Sequence, residues 1–514
     1  MTSLGRRKFL VTSASATLAA SLATLGRPRT AVARGPWGEL VEDPDGILDL
    51  PEGFSYTILE DAGQMMDDGY RVPGRPDGMA CFAGPDDTLI LLRNHENSLD
   101  DLPNGPYNDG QDPPPEAYDP QGMGGVSRLV VDATTFERVS SNLVLAGTVR
   151  NCAGGPSPWG WLSCEENVEI NGEFRHGYTF LCEADADAVA PAQVIPAYGR
   201  FYHEAVCIDP SNNVAYLTED RINSCFYRFV PDDMDDPFGA GSFQALKVVG
   251  MDGYNTIGMG QGEVLDVEWV DIDEPDPDDD TLREEAADKG AAIIVRGEGI
   301  WFFEGQIYIC ATFGGPIMKG QIFRLIDGDS PTLELVVVSD DAGVLNNPDN
   351  ITVAPWGHVY MVEDNGGVNH VRMINDAGEV CDFARNVGPS ELAGICFSPL
   401  GDAMFFNIQT NGLTVVVTGP FQGEEPGDGD GDPGGDGDGD PATGDGDGDA
   451  TTTGDEDTEG GTEGDTGGGD PGGAEDGEGC GCATDEGNGL GAVATVAAAV
   501  GVAVITRKPG EDSI

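Results

Sequence analysis

Glu298-Gly299-Ile300-Trp301-Phe302-Phe303, then Glu304-Gly305, then Gln306-Ile307-Tyr308-Ile309-Cys310-Ala311-Thr312 is the stretch that decides the fold. Two runs of β-branched and aromatic residues separated by a short Glu-Gly turn read as an antiparallel hairpin. The first residue of one strand and the last of its partner lie at the same end of a hairpin, so Glu298 and Thr312 are brought together. The same bracket recurs with Asp77 and Asn94-His95-Glu96, Cys152 and Glu165-Glu166-Asn167, Glu204 and Glu219-Asp220, Asn350 and Glu363-Asp364, and Glu391 and Asn407. Set radially, six such hairpins deliver every bracket to one mouth of a central channel. The expected fold is therefore all-β, a six-bladed β-propeller with a metal cluster at one end of the channel. A β-sandwich does not account for six copies of one polar bracket.

Outward from these hairpins, residues 34–422 alternate short apolar runs with Gly, Pro, Asp and Asn turns and form the expected catalytic domain. Helical periodicity is confined to Thr281 to Lys289, inside an acidic insertion that begins near Asp271. Residues 1–33 carry Arg6-Arg7 ahead of a weakly apolar stretch and the small-residue site Ala31-Val32-Ala33, which reads as a twin-arginine signal peptide. Residues 423–479 are Gly, Asp, Glu, Thr and Pro with almost nothing apolar, a composition that reads as an extended, self-repelling linker. Residues 480–514 hold Cys480-Gly481-Cys482, an apolar stretch from Gly489 to Ile505, and Arg507-Lys508. That three-part tail resembles the myxobacterial C-terminal sorting signals, and the resemblance implies cleavage and lipid attachment near Cys480 or Cys482; the alternative is a plain C-terminal transmembrane anchor.

The formal charge of −65 excludes nucleic acid as a partner and makes cations the natural counterpart. Eleven cysteines, odd in number and widely scattered, are not a disulfide framework. The export signal and the tail together lead us to expect a protein delivered by the twin-arginine machinery to the cell surface, outer membrane or periplasm. It touches membrane only through the tail and acts as a monomer.

Carboxylate and amide oxygens on converging strands are what hard cations require. Asn94, Glu96, Glu165, Glu166, Glu204, Glu219, Asp220, Glu298, Asn350, Glu363 and Asp364 supply them. Any one of these taken alone is as well read as a surface acid or a turn residue; the six-fold bracketing is what argues for a site. Cys152 takes a place that other brackets give to Glu or Asn. It reads either as a buried inert thiol or as a ligand for a borderline, redox-capable metal such as iron. Arg296, two residues before Glu298, reads either as a clamp for an anionic substrate or as a neutraliser of nearby acids, and Arg93 reads more readily as a neutraliser. His95 and His203 alternate with the bracket residues, so they face the opposite side of their strands.

Leu91-Leu92-Arg93-Asn94-His95-Glu96, Asn151-Cys152-Ala153-Gly154-Gly155, Trp161-Leu162-Ser163-Cys164-Glu165-Glu166-Asn167, Gly199-Arg200-Phe201-Tyr202-His203-Glu204, Tyr216-Leu217-Thr218-Glu219-Asp220, Pro348-Asp349-Asn350 and Glu391-Leu392-Ala393-Gly394 occur in this order. Together they resemble the PhoX-type alkaline phosphatases from about Leu50 to Pro420. The resemblance implies a six-bladed propeller that holds ferric iron and calcium and hydrolyses small phosphate monoesters outside the cell. It implies iron ligation by Cys152, Glu204 and Glu298 with one of Glu165 and Glu166. Asn94, Glu96, Glu219, Asp220, Asn350, Glu363 and Asp364 fall on the calcium or bridging side. Arg296, as phosphate clamp, and Asn94 are the expected catalytic side chains. Two rival readings are a metal-dependent lactonase or esterase and a calcium-stiffened surface propeller that only binds a partner.

Overall fold

A computed structural model describes residues 35–422. The signal, linker and tail expected at either end lie outside the described residues. Among the described residues no helix is long and apolar enough to cross a membrane.

The fold is all-β and propeller-like. Hairpin one (Pro76–Ala83 with Thr88–His95) is completed to a four-stranded sheet by Gly124–Asp132 and Arg138–Thr148, and hairpin two (Asn151–Ser157 with Gly160–Glu165) by Thr179–Cys182 and Gln193–Ile195. Hairpin three (His203–Asp209 with Val214–Glu219) and hairpin four (Gly297–Phe303 with Gln306–Ala311) belong to one nine-stranded sheet. In it, Val264–Asp271 pairs on one side with Gly241–Val248 and on the other with Thr332–Val338. Hairpin five (Pro348–Val353 with Val359–Glu363) lies in a six-stranded sheet that recruits Leu48–Pro51 and Leu40–Val41 from the N-terminal side. Hairpin six (Leu392–Phe397 with Ala403–Ile408) continues through Leu413–Thr418 to Ser55–Asp61. An N-terminal strand therefore completes the last sheet, which ties the two ends of the described chain together.

The first strands of the six hairpins pack side by side around a ring, each against the next and the sixth against the first. Small residues permit this approach. A Cβ on Gly155 would lie 1.7 Å from the Val206 carbonyl oxygen, and one on Gly78 would lie 2.6 Å from the Ala153 Cα. Between sheets the core is aliphatic and aromatic, such as Leu246, Phe323 and Leu335 beside Tyr216 and Phe226. No disulfide joins the described cysteines, in keeping with a fold held by packing.

The acidic insertion does form a helix, Leu282–Asp288. The segment leading into it is fastened by Arg200, which is fully buried and donates to the carbonyls of Pro277 and Asp278.

Candidate metal centre

The hairpins repeat down to the single residue. In each, the residue just past the second strand donates its N–H to a carbonyl just before the first strand. The pairs are Glu96 to Arg75, Glu166 to Arg150, Asp220 to Tyr202, Thr312 to Arg296, Asp364 to Asn347 and Gln409 to Glu391. Close behind that bond every first strand carries a bulge, two residues facing one, and in five of the six the bulge opens on Asp77, Cys152, Glu204, Glu298 or Asp349. A bulge re-aims the side chain of its extra residue, and here it turns these groups into the mouth. In hairpin six the bulge starts one step later, at Gly394.

Two clusters result. Ligand atoms of Glu96, Cys152 and Glu166 lie within 4.8 Å of one another, as do those of Glu204, Glu298 and Asp349, and all six residues are buried. Neither carboxylate oxygen of Glu204 has a hydrogen-bond partner among the described residues. A bare, fully buried carboxylate beside two others is costly unless a cation or a proton compensates it. Burial, reinforced by the neighbouring acids, pushes Asp77, Glu204, Glu298, Asp349 and Glu391 well above the usual carboxylate range. Burial raises Glu166 to about 8 against the pull of Arg150, and Asp364 to about 6 against that of Arg296.

Guanidinium groups and one amide offset part of this charge. Arg296 grips Asp220 through Nε to Oδ1 and Nη2 to Oδ2, both at 2.8 Å, and its Nη2 stands 3.1 Å from Glu298 Oε1. Arg150 Nη2 donates to Glu96 Oε1 at 2.9 Å and to Glu166 Oε2 at 2.5 Å. Gln409, which the bracket pattern missed, donates to Asp77, Glu96 and Glu391.

The structure divides the adjacent acid pairs that sequence left together. Glu166, Asp220 and Asp364 face the mouth. Their neighbours face back into the sheets, as strand alternation requires. Glu165 accepts from the N–H groups of Val149 and Gly177 and contacts His176 Nδ1 at 2.7 Å. Glu219 accepts from the Tyr227 hydroxyl at 2.8 Å, and burial raises it to about 7. Glu363 is held by Arg372 Nε at 2.9 Å and by the N–H of Asn346. These three acids are engaged by groups within the hairpins and lie outside the two clusters of ligand atoms.

Asn94 is likewise engaged by neighbouring groups. Its amide donates to the carbonyls of Cys152 and Ala153, and its oxygen accepts from Trp161 Nε1 and Ser163 Oγ, so it fastens hairpin one to hairpin two. Asn350 accepts from the Gly394 N–H, and its place as opener falls to Asp349. The missed signal was there to read: each opener is followed by a small residue or Asn and then usually an apolar one, as in Asp77-Gly78-Met79, Glu298-Gly299-Ile300 and Asp349-Asn350-Ile351. Cys152, Glu204, Glu298, Glu96, Glu166, Asp220 and Asp364 are gathered at the mouth. Arg93 is a neutraliser, wholly buried against Glu60 at 2.8 Å and bonded to Ser127. His95 and His203 face away, with burial pressing His203 down to about 3.

A propeller-like ring that gathers buried carboxylates and a thiol at one end defines a candidate cation-binding centre. The family is more specific. The model of the family described as alkaline phosphatase PhoX matches residues 35–142 and 135–412, and the chain belongs to that family. Among solved structures it is similar to Pseudomonas fluorescens PhoX in complex with vanadate, a transition state analogue. That match has 18% identity and a TM-score of 0.59, and it covers 76% of this chain and 98% of that one. It is also similar to a gluconolactonase of Xanthomonas campestris, with 12% identity, a TM-score of 0.38, and coverage of 75% and 99%. No curated protein matches the sequence. The protein is thus an alkaline phosphatase of the PhoX family.

Proposed function

We propose that this phosphatase is exported and hydrolyses phosphate monoesters on a mixed iron and calcium cluster at the mouth of a six-bladed propeller. In this reading the nine-stranded sheet counts as two blades bridged by Val264–Asp271. The observation that carries the reading is the Glu204 carboxylate, buried, bare and flanked by Glu298 and Asp349. The donor set fits such a cluster: one thiol among carboxylates suits iron, and the remaining oxygens suit calcium. Cys152, Glu204, Glu298 and Asp349 would hold iron with Glu166, and Glu96, Asp220, Asp364, Asp77 and Glu391 would serve calcium or bridge. Bound cations supply Lewis acidity, which withdraws charge from phosphoryl oxygens and activates water.

The chain's own residues do the rest. Asp220 fixes the plane of the Arg296 guanidinium through two parallel bonds, so that the fork is already oriented when a phosphoryl group arrives. Arg296 then holds a non-bridging oxygen and offsets the charge that builds on it. Gln409 keeps Asp77, Glu96 and Glu391 at fixed separation. Asn94, Glu165, Glu219 and Glu363 hold the loops that carry these groups.

The test is chelation followed by defined metal return, with a generic phosphomonoester assayed at alkaline pH. Activity lost on chelation and restored only by iron with calcium supports the reading. Activity that survives complete chelation overturns it.

A further inference from the structure

The loops that leave the mouth are not alike. Just past the second strand, hairpins one, two, three, five and six place a carboxylate or amide residue at the mouth and follow it with Asn97, Asn167, Arg221, Asn365 and Thr410. Hairpin four places Thr312 there and follows it with Phe313, the one aromatic residue among the six. Phe313 is half-buried, and the Arg296 guanidinium carbon lies over its face, 5.1 Å from the ring centroid.

The backbone that carries this aromatic side chain is pinned from several sides. Thr312 donates its N–H to the Arg296 carbonyl and its Oγ1 to the Pro348 carbonyl at 2.7 Å, and its own carbonyl accepts from Asn347 Nδ2 at 3.2 Å. Two residues beyond Phe313, the Gly315 N–H donates to the Ile257 carbonyl at 3.1 Å. Gly314, between them, has a φ of 119°, and a Cβ there would lie 2.0 Å from Gln321 Oε1, so the loop passes where a larger residue does not fit. The Phe313 face is therefore held in place by its loop.

Arg296 stands to gain from such a face. Its long side chain has several rotatable bonds, and the two parallel bonds to Asp220 fix the guanidinium by its edge without opposing a rocking motion about that edge. A π face against the flat side of the cation attracts it electrostatically and opposes that motion. Stacking alone marks no site, since Arg221 lies over Tyr202 and Arg228 over Trp269. What singles out Phe313 is that the cation it faces is the one read as the phosphate clamp.

We infer that Phe313 is a positioning residue of this phosphatase: it holds the Arg296 guanidinium by its face while Asp220 holds it by its edge. The fork then meets the phosphoryl group already oriented. The inference rests on the reading of Arg296 as the phosphate clamp.

The experiment uses the full chain, metal-loaded, as wild type, F313L, F313Y, R296Q and the double variant F313L/R296Q. Orthovanadate affinity is measured by titration, KM with a generic phosphomonoester, and metal content by elemental analysis; F313M replaces F313L if the latter does not fold. Leucine keeps apolar bulk without a π face, whereas tyrosine keeps the face. We expect F313L to weaken vanadate binding about three- to thirtyfold and to raise KM in step, with metal content unchanged. F313Y should bind vanadate within about twofold of wild type, and F313L/R296Q no more weakly than R296Q, because a residue that acts through Arg296 has nothing left to position. Unchanged vanadate binding in F313L, an equal loss from F313L in both backgrounds, or F313Y as weak as F313L overturns the inference. So does metal lost from F313L, or failure of both F313L and F313M to fold, which assigns Phe313 to the fold of the mouth. R296Q separates the two readings. Weak vanadate binding in R296Q beside wild-type binding in F313L sinks this inference alone, and wild-type binding in R296Q sinks the clamp reading as well.

Discussion

A single residue decides which side of a strand a charge serves. Glu165 and Glu166 are neighbours of one type, yet the first is consumed by backbone N–H groups and His176 while the second stands over the channel with a raised proton affinity. Asn94 shows the same division of labour. In N94A, Trp161 Nε1 and Ser163 Oγ lose their buried acceptor, so stability falls by about 1–3 kcal/mol in a denaturant titration. KM for a phosphomonoester stays at its wild-type value once metal is bound; a large rise in KM would return Asn94 to substrate contact. By contrast, the proposed metal centre predicts that D349N lowers the metal content, because it removes one of the two carboxylates clustered with Glu204. Elemental analysis checks this, and unchanged content would contradict it.

At the scale of the element, the hairpin with its bulge is the working unit. Alternating and aromatic-rich runs made the hairpins legible in sequence, and their polar ends were legible as a metal-seeking mouth. The bulge was not, because it inserts one residue without changing composition and shifts register by one. That is why Asn350 stood in for Asp349. The pairs Glu165-Glu166, Glu219-Asp220 and Glu363-Asp364 stayed undivided for another reason: alternation says that one member of each faces the mouth, but not which. Arg150 and Gln409 were illegible for a different reason: their roles depend on which carboxylates other hairpins bring within reach. Close approach between first strands is the element's weak point. G155A would press a methyl group onto the Val206 carbonyl, and we expect about 1–3 kcal/mol of destabilisation with a lower Tm. An unchanged Tm would mean that the ring opens there at little cost.

Over the whole molecule, the ring gathers acids that the unfolded chain would ionise at ordinary pH. Without metal, native Glu204, Glu298 and Asp349 retain protons that the unfolded chain has released above about pH 4.5. The native state then binds more protons than the unfolded state, so the stability of metal-free protein falls as pH rises from there through about 6, for Asp364, and about 8, for Glu166. Thermal melts of chelated protein should give a lower Tm at pH 9 than at pH 5, and returning metal at pH 9 should raise the Tm and release protons. A Tm at pH 9 indifferent to chelation would contradict this. Closure of the ring is secured away from the mouth as well as at it. Glu60 on the N-terminal strand Ser55–Asp61 pairs with Arg93 of hairpin one and with Arg138, and Trp37 Nε1 donates to the Pro420 carbonyl at 2.9 Å. These outer closing contacts can therefore be perturbed without touching the cluster, whereas Gln409, which joins hairpin six to Asp77 and Glu96, cannot.

The proposed metal centre at the buried mouth is built around Glu204. Its test is the iron and calcium content of the purified full chain beside that of E204Q. Both metals are expected in the wild type and loss of iron in the variant, with phosphatase activity falling in step. An active wild type that holds neither metal, or an E204Q protein with its iron intact, would contradict it.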